Sequence, residues 1–202
     1  FLGYATTLAI LAATQTGWGI AGALVFPVGF VMIILLGLEL ATGNFALLPI
    51  AVKDRRTSIE RLAVNWSWVL IGNLLGSVTY AYLYCIVATK MGSIDPATIP
   101  ALQRTIIIAE TKTLEYAKLG FDGTITAFVS AMLCNWMVTL GAVMAFTSTT
   151  TIGKISAMWL PIMTFFGLGY EHAIVNMFVI PAGMWLGANI TVADWWLWNG
   201  IP

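Results

Sequence analysis

The chain has 202 residues, of which 59% are hydrophobic and only 9% charged, and its formal net charge is zero. Soluble domains carry about 25% charged residues, so this composition, with a mean hydropathy of +0.90, excludes an ordinary soluble fold. We predict a multi-pass helical protein of the cell membrane (plasma or inner membrane), in contact with the lipid bilayer. No nucleic-acid partner is expected.

Four basic residues in one short connection set the orientation. Lys53, Arg55, Arg56 and Arg61 lie between two apolar segments, and short basic loops face the cytoplasm. The two cysteines, Cys85 and Cys134, fall inside apolar segments without metal-ligand spacing, and are interpreted as packing residues. Neither a metal nor a cofactor is expected.

The first two spans are unusual. Residues 1–14 read as the later part of a helix already under way at Phe1, because about 20 residues are needed to cross a bilayer. The next apolar run, 19–52, is longer than one span requires. Gly37 and the polar stretch 39–44 predict a break inside it, because a Gly-Asn pair and a carboxylate favour a turn over a helix.

Three further spans are predicted at 62–88, 123–147 and 156–185. Between the first two of these lies a hydrophilic segment, in which residues 100–118 are predicted to form an amphipathic helix on the non-cytoplasmic membrane face. The tryptophan-rich tail, 192–202, is typical of a helix at the membrane interface.

An internal repeat relates the second and fifth spans. The pattern Gly-x-Glu-x4-Asn-x4-Pro recurs with an offset of 132 residues, at Gly37, Glu39, Asn44 and Pro49 and again at Gly169, Glu171, Asn176 and Pro181. Paired interruptions of this kind predict an inverted-repeat transporter with its site near the bilayer midplane. The same offset gives the third span a counterpart near residue 194. We therefore expect residues 1–202 to be one transmembrane domain, a fragment with a truncated first helix and no sixth helix.

Glu171 and His172 stand inside apolar sequence, where a charged side chain costs about 2.5–3.5 kcal/mol and is a functional-site candidate. A lone histidine in an apolar run is more often a satisfied interior residue, but the duplicated break favours a pore role. For Glu39 and Glu171 we favour a structural role, accepting hydrogen bonds from backbone amides that the breaks leave unpaired. Asn44 and Asn176 belong to the same two breaks.

Four motifs, in order along nearly the whole chain, resemble the formate/nitrite transporter family. They are Gly-Leu-Glu-Leu-Ala-Thr-Gly-Asn at 37–44, Asn65-Trp66 with Gly72-Asn73, Cys134-Asn135-Trp136, and residues 169–184. The resemblance implies a homopentamer of all-α, aquaporin-like inverted-repeat protomers. Each protomer has six transmembrane helices and its own pore, with helices 2 and 5 broken; this chain covers part of the first to the fifth.

The same resemblance assigns candidate residues by position. The substrate-pore candidates are His172, Thr42, Asn135 and Leu40; the constriction candidates are Phe26, Phe30 and Phe165; the vestibule candidates are Lys118 and Lys112. Thr42 could instead hold its own loop, and the phenylalanines could be ordinary packing. Ala41 stands where many relatives have phenylalanine, and Phe30 replaces a smaller aliphatic residue, which predicts a differently shaped cytoplasmic constriction.

The predicted function is transport of a small monovalent anion, formate or nitrite, with hydrosulfide and lactate as further candidates. An anion meets a large desolvation cost in an apolar constriction, whereas its neutral conjugate acid avoids most of it. Protons are therefore expected partners, and a histidine with an ordinary pKa of about 6.5 suits proton transfer near the midplane. Two alternatives stay open: that His172 donates the proton, or that it only hydrogen-bonds the substrate. Passive conduction and proton symport are both open.

Two other classes of function are weighed. A neutral-solute pore of aquaporin type shares the hourglass shape, but the paired Asn-Pro-Ala signature is absent. An intramembrane enzyme using Glu171 and His172 is disfavoured, because adjacent residues point to different sides of a helix and no second histidine exists. We expect no enzymatic activity.

Overall fold

The computed structural model describes residues 1–200, which are helical with no β-strand in that range. In chain order the α-helices are α1 (Leu2–Thr16), α2 (Gly19–Val25), α3 (Pro27–Leu35), α4 (Ala41–Lys53), α5 (Ile59–Ala88), α6 (Pro100–Thr111), α7 (Leu114–Leu119), α8 (Phe121–Phe146), α9 (Thr151–Gly167), α10 (Ala173–Leu186) and α11 (Val192–Trp195). A 3₁₀ turn (Pro96–Thr98) precedes α6, and a π-helical turn (Trp196–Gly200) follows α11.

Two helices are long and apolar enough, among the residues described, to cross a membrane alone: α5 with 30 residues and α8 with 26. A hydrocarbon layer of about 30 Å needs about 20 helical residues. Two further crossings are each built from shorter helices: α2, α3 and α4 form one, and α9 and α10 form the other. Helices 2 and 5 of the predicted architecture are therefore broken, as the repeat indicated.

The two breaks have the same backbone conformation. The C-cap residues of α3 and α9 are Leu36 and Leu168, and the residue after each, Gly37 or Gly169, is left-handed with φ of 65° or 73°. The amides that follow bond back into the helix in the same pattern, Leu38 to the carbonyl of Ile33 and Tyr170 to that of Phe165. This is a Schellman ending, which satisfies carbonyls that lipid cannot. At each break the backbone then runs without helix for three residues, 38–40 and 170–172, before the next helix begins.

The first break is shorter than the sequence predicted. Residues 39–44 were expected to leave the helix, but Ala41 to Asn44 already form the first turn of α4, and the Asn44 amide bonds the carbonyl of Leu40 at 3.0 Å. Small and polar residues are tolerated at the start of a helix, so Gly43 and Asn44 cost little there. The break is confined to 36–40, which is 132 residues before 168–172.

The prediction of one surface helix over 100–118 was wrong. The segment forms two helices separated at Lys112 and Thr113, and α6 packs against α10 rather than lying free on the membrane face. Ala109 is fully buried, and a Cβ atom at Gly183 would collide with the Cβ of Ala109. These small residues let the two helices approach closely, as small residues do in membrane helix pairs.

A short helix lies in the tail, close to residue 194, where the repeat offset puts the counterpart of α5. The helix starts at Val192 behind a capping box made by Thr191 and Asp194. Trp195 is buried and stacks on Trp196 with ring centroids 5.4 Å apart. Ile201 and Pro202, which the predicted interfacial helix also included, lie outside the described residues.

Large apolar side chains cover the outside of the long helices. On α5, Trp68 and Leu75 are 70% and 62% exposed, and on α8, Trp136 is 68% exposed. A water-soluble surface does not carry apolar side chains at this density, whereas a surface facing lipid or neighbouring subunits does.

The left-handed glycine of the first break gives a test of stability. In Gly37→Ala the new Cβ would meet no atom within 4 Å, so the only cost is the left-handed backbone, about 1 kcal/mol or a Tm lower by about 2–4 °C. The control is Gly43→Ala, which also meets no atom but is helical, and should keep or raise the Tm. Thermal unfolding in detergent measures both; equal Tm values would contradict the assigned backbone.

Candidate functional site

The site lies where two half-helices begin. Thr42 is in the first turn of α4 and His172 caps the N-terminus of α10, and the Thr42 Oγ1 and His172 Nε2 atoms are 3.4 Å apart. Both side chains are buried. Each helix N-terminus carries about half a positive charge, so their meeting point favours an anion. The two breaks therefore bring together residues 130 positions apart in the chain.

The hydrogen bonds of His172 define its protonation. Its Nδ1 accepts a hydrogen bond from the backbone N–H of Val175 at 3.3 Å, so the ring is a neutral imidazole with its proton on Nε2. That Nε2–H points to Thr42, whose oxygen accepts it. The Thr42 hydroxyl proton is then available to a third group. A small anion at this point would find two donors, the imidazole N–H and the threonine O–H.

Aromatic rings cover the histidine. The ring of Phe165 stacks on the imidazole with centroids 5.4 Å apart, and Phe26 meets Phe165 edge-on at 5.6 Å. Phe26 is also parallel to Phe166 at 3.9 Å. Phe26 and Phe165 are fully or almost fully buried. The structure thus brings two of the predicted constriction residues together directly beside His172.

Two separate cavities lie near these aromatic rings and are called here the outer and the inner cavity. The outer cavity, of about 390 Å³, has His172 and Phe165 at its base and Arg104, Lys112, Tyr116 and Glu171 in its wall. The inner cavity, of about 180 Å³, is lined by Phe30, Leu40, Gly43, Asn44 and Phe146. The two share no lining residue. Phe30 and Leu40 therefore line the inner cavity, and Phe165 lines the outer one.

Of the remaining candidate residues, Asn135 and Lys112 lie near His172 and Lys118 does not. Asn135, on α8, lines a crevice shared with Thr42 and His172, and its Oδ1 is buried with no partner among residues 1–200. Lys112 lines the outer cavity, whereas Lys118 is exposed on α7 and lines none of the cavities described here. Of the two vestibule candidates, the structure places only Lys112 near His172.

Glu171 is buried and surrounded by donors. Its carboxylate accepts from Lys112 Nζ at 2.9 Å, Tyr116 Oη at 2.9 Å, Asn176 Nδ2 at 2.7 Å and Asn199 Nδ2 at 3.0 Å. The cation and the three neutral donors together satisfy the hydrogen-bonding capacity of this buried carboxylate. Tyr116 and Asn199 were missed by the sequence analysis. Asn199 could have been found, because it lies 134 residues after Asn65, close to the repeat offset.

Glu39 has a related arrangement without the cation. Its carboxylate accepts from Asn44 Nδ2 at 3.0 Å and from Asn65 Nδ2 at 2.8 Å. Asn73 also bridges the break, accepting from the Ala41 amide at 3.0 Å and donating to the Glu39 carbonyl at 3.3 Å. The expectation of backbone donors to the two carboxylates was wrong: the donors are side chains, asparagine amides at Glu39 and asparagine, lysine and tyrosine groups at Glu171. The glutamate backbone is satisfied separately, with the Glu171 amide donating to Ser130 Oγ at 3.0 Å.

No three His, Cys, Asp or Glu side chains lie together as a metal site requires, within the part of the chain that the structure describes. Paired half-helices around one buried imidazole define a helical membrane channel fold. A solved FNT family ion channel shares it, with a TM-score of 0.78 at 26% identity over 99% of this chain and 78% of that one. A pentameric formate channel with formate bound has a TM-score of 0.72 at 24% identity, covering 98% and 75%.

The sequence profile described as formate/nitrite transporter matches residues 1–202, and the chain belongs to that family. Relatives include an uncharacterized transporter of Bacillus subtilis (35% identical; 93% of this chain, 67% of the relative) and a probable formate transporter of Methanothermobacter thermautotrophicus (40%; 88% and 65%). A formate channel of Bacillus thuringiensis is 32% identical, covering 92% and 68%. The chain spans about two thirds of the length of these relatives. The family consists of transporters and channels, and the water-channel alternative is not favoured.

The ion pair between Lys112 and Glu171 predicts unequal effects for two lysines. Lys112→Met leaves a buried carboxylate without its cation, and the free energy of unfolding should fall by about 3 kcal/mol. Lys118→Met, on the exposed face of α7, should change it little. Denaturant unfolding in detergent measures both. The double variant Lys112→Met/Glu171→Gln should recover part of the loss, and purely additive effects would contradict the pairing.

Proposed function

We propose that this chain forms the pore of a channel or transporter for small monovalent anions, formate or nitrite, that permeate together with a proton. The observation that carries the proposal is the meeting of two helix N-termini at Thr42 and His172, with a neutral imidazole N–H and a hydroxyl as donors. The site attracts an anion without holding a fixed full charge. Relatives named as formate channels or formate transporters support formate as substrate.

The aromatic layer explains the need for a proton. An anion moving from the outer to the inner cavity must pass Phe165 in the outer cavity and then Phe30 and Leu40 in the inner one, and these side chains offer no polar groups. The neutral acid crosses such a layer at much lower desolvation cost than the anion. Hydrogen bonds from His172, Thr42 and Asn135 orient the substrate while it acquires the proton.

We propose that solvent in the outer cavity supplies this proton, and that His172 acts as a hydrogen-bond donor. Protonating Nδ1 would displace the Val175 N–H, which now fills that acceptor. The Lys112–Glu171 pair beside it has its charges matched. Of the two roles left open by the sequence, the hydrogen bonding thus supports the second.

The whole protein is proposed to be a homopentamer in the plasma or inner membrane, without enzymatic activity. The apolar outer faces of α5 and α8 supply surface for subunit contact and for lipid. The similar solved structure of a pentameric formate channel supports five subunits. The exposed basic connection at 53–61 supports a cytoplasmic location for that end of the pore.

Proteoliposomes containing the full-length protein test the function. Formate and nitrite uptake, measured side by side, should rise as external pH falls, because more substrate is then in the neutral acid form. His172→Phe should lower uptake at least about tenfold, since it removes the central donor but keeps the ring stack. Flux of water or glycerol that is indifferent to pH, with no anion flux, would contradict the proposal.

Two variants test the role of the Thr42 hydroxyl. Thr42→Val keeps the shape but removes the hydroxyl, and maximal formate flux should fall about tenfold, the effect of one lost hydrogen bond. Thr42→Ser keeps the hydroxyl and should retain most of the flux. Size-exclusion profiles of both variants check assembly. A Val variant as active as the Ser variant would show that the hydroxyl serves only its own loop.

A further inference from the structure

The outer cavity contains one cation whose charge is not matched. Its charged wall residues are Arg104, Lys112 and Glu171. Lys112 and Glu171 form an ion pair at 2.9 Å, so together they add no net charge. Arg104 has no ion pair or side-chain hydrogen bond with any residue described, 1 to 200, and no carboxylate lies three or four positions away on α6. The net positive charge of the cavity is therefore that of Arg104.

Arg104 stands at the outer end of the cavity wall. Arg104, Ile108 and Lys112 follow each other at intervals of four residues, so they share one face of α6 and its C-terminal cap. Eight residues correspond to about 12 Å along the helix axis. Lys112 lies at the Glu171 end, beside His172, whereas Arg104 is exposed to solvent. An entering anion meets the arginine first.

We propose that Arg104, rather than Lys112, recruits the anion to the pore, and that the pore consequently prefers planar two-oxygen anions. A guanidinium presents two parallel N–H groups, which match the two oxygens of formate or nitrite. Hydrosulfide and halide ions have a single acceptor atom and cannot match both N–H groups. Lys112, held by Glu171, is a structural cation. This inference rests on the proposed anion transport.

Recruitment at the entrance affects occupancy more than the rate of crossing. At physiological salt the Debye length is about 8 Å, shorter than the helix rise of about 12 Å that separates Arg104 from Lys112. The charge of Arg104 therefore raises the local anion concentration but acts weakly on the step at Thr42 and His172. Removing the charge should change the half-saturating concentration and leave the maximal flux.

Formate uptake by the full-length protein in proteoliposomes tests this. Arg104→Gln should raise the half-saturating formate concentration about tenfold at low salt with unchanged maximal flux, and should abolish its salt dependence. Arg104→Lys should keep the salt dependence but lose the preference for formate over hydrosulfide. The control is Lys90→Gln, which removes an exposed cation from the same side of the membrane outside the cavity wall. An Arg104→Gln variant with wild-type half-saturation and salt dependence would overturn the inference.

Charge restoration gives a second measurement. In Arg104→Cys, a cationic thiol reagent should return the half-saturating concentration toward the wild-type value, and an anionic reagent should raise it further. The native Cys85 and Cys134 are buried, and the wild-type protein treated with each reagent is the control. Equal effects of the two reagents would show that size, not charge, matters there. Absence of formate flux in the wild type would instead overturn the proposed function as well.

Discussion

The structure depends on satisfying backbone and side-chain polar groups where two membrane helices are interrupted. Lipid offers no partner to such groups, so each break must be closed by the protein. Left-handed glycines return the last amides to the preceding helix, and a glutamate in each break is tied by asparagines to the following helix and to a neighbouring one. With the ends of the half-helices fixed in this way, the side chains of Thr42 and His172 come within 3.4 Å of each other.

This fixed geometry also determines the chemistry at the centre. Because Val175 occupies Nδ1, His172 presents a single N–H, and the aromatic stack with Phe165 limits rotation of the ring. The centre is therefore rich in donors but carries no full positive charge of its own. Such a site can attract an anion through oriented dipoles and still release it, which a buried fixed cation would oppose.

Much of this arrangement was predictable from the sequence, since the breaks, the offset of 132 and the positions of Gly37, Gly169 and His172 follow from local chemistry and repetition. What could not be predicted were the contacts between distant segments. Tyr116 and Lys112 reach Glu171 only because α6 packs on α10, a consequence of small residues at Ala109 and Gly183 that hydropathy does not reveal. The length of the first break was also overestimated, because polar residues such as Asn44 are as suitable for a helix start as for a loop.

The two glutamates share a backbone setting but not a charge environment. Glu171 is buried with a lysine and a tyrosine, whereas Glu39 is exposed in this chain and has asparagines alone. The two breaks thus have the same backbone shape, but the charges around their glutamates differ. An ion that moves along a path with such ends meets a different electrostatic potential at each of them, although the two ends derive from duplicated sequence.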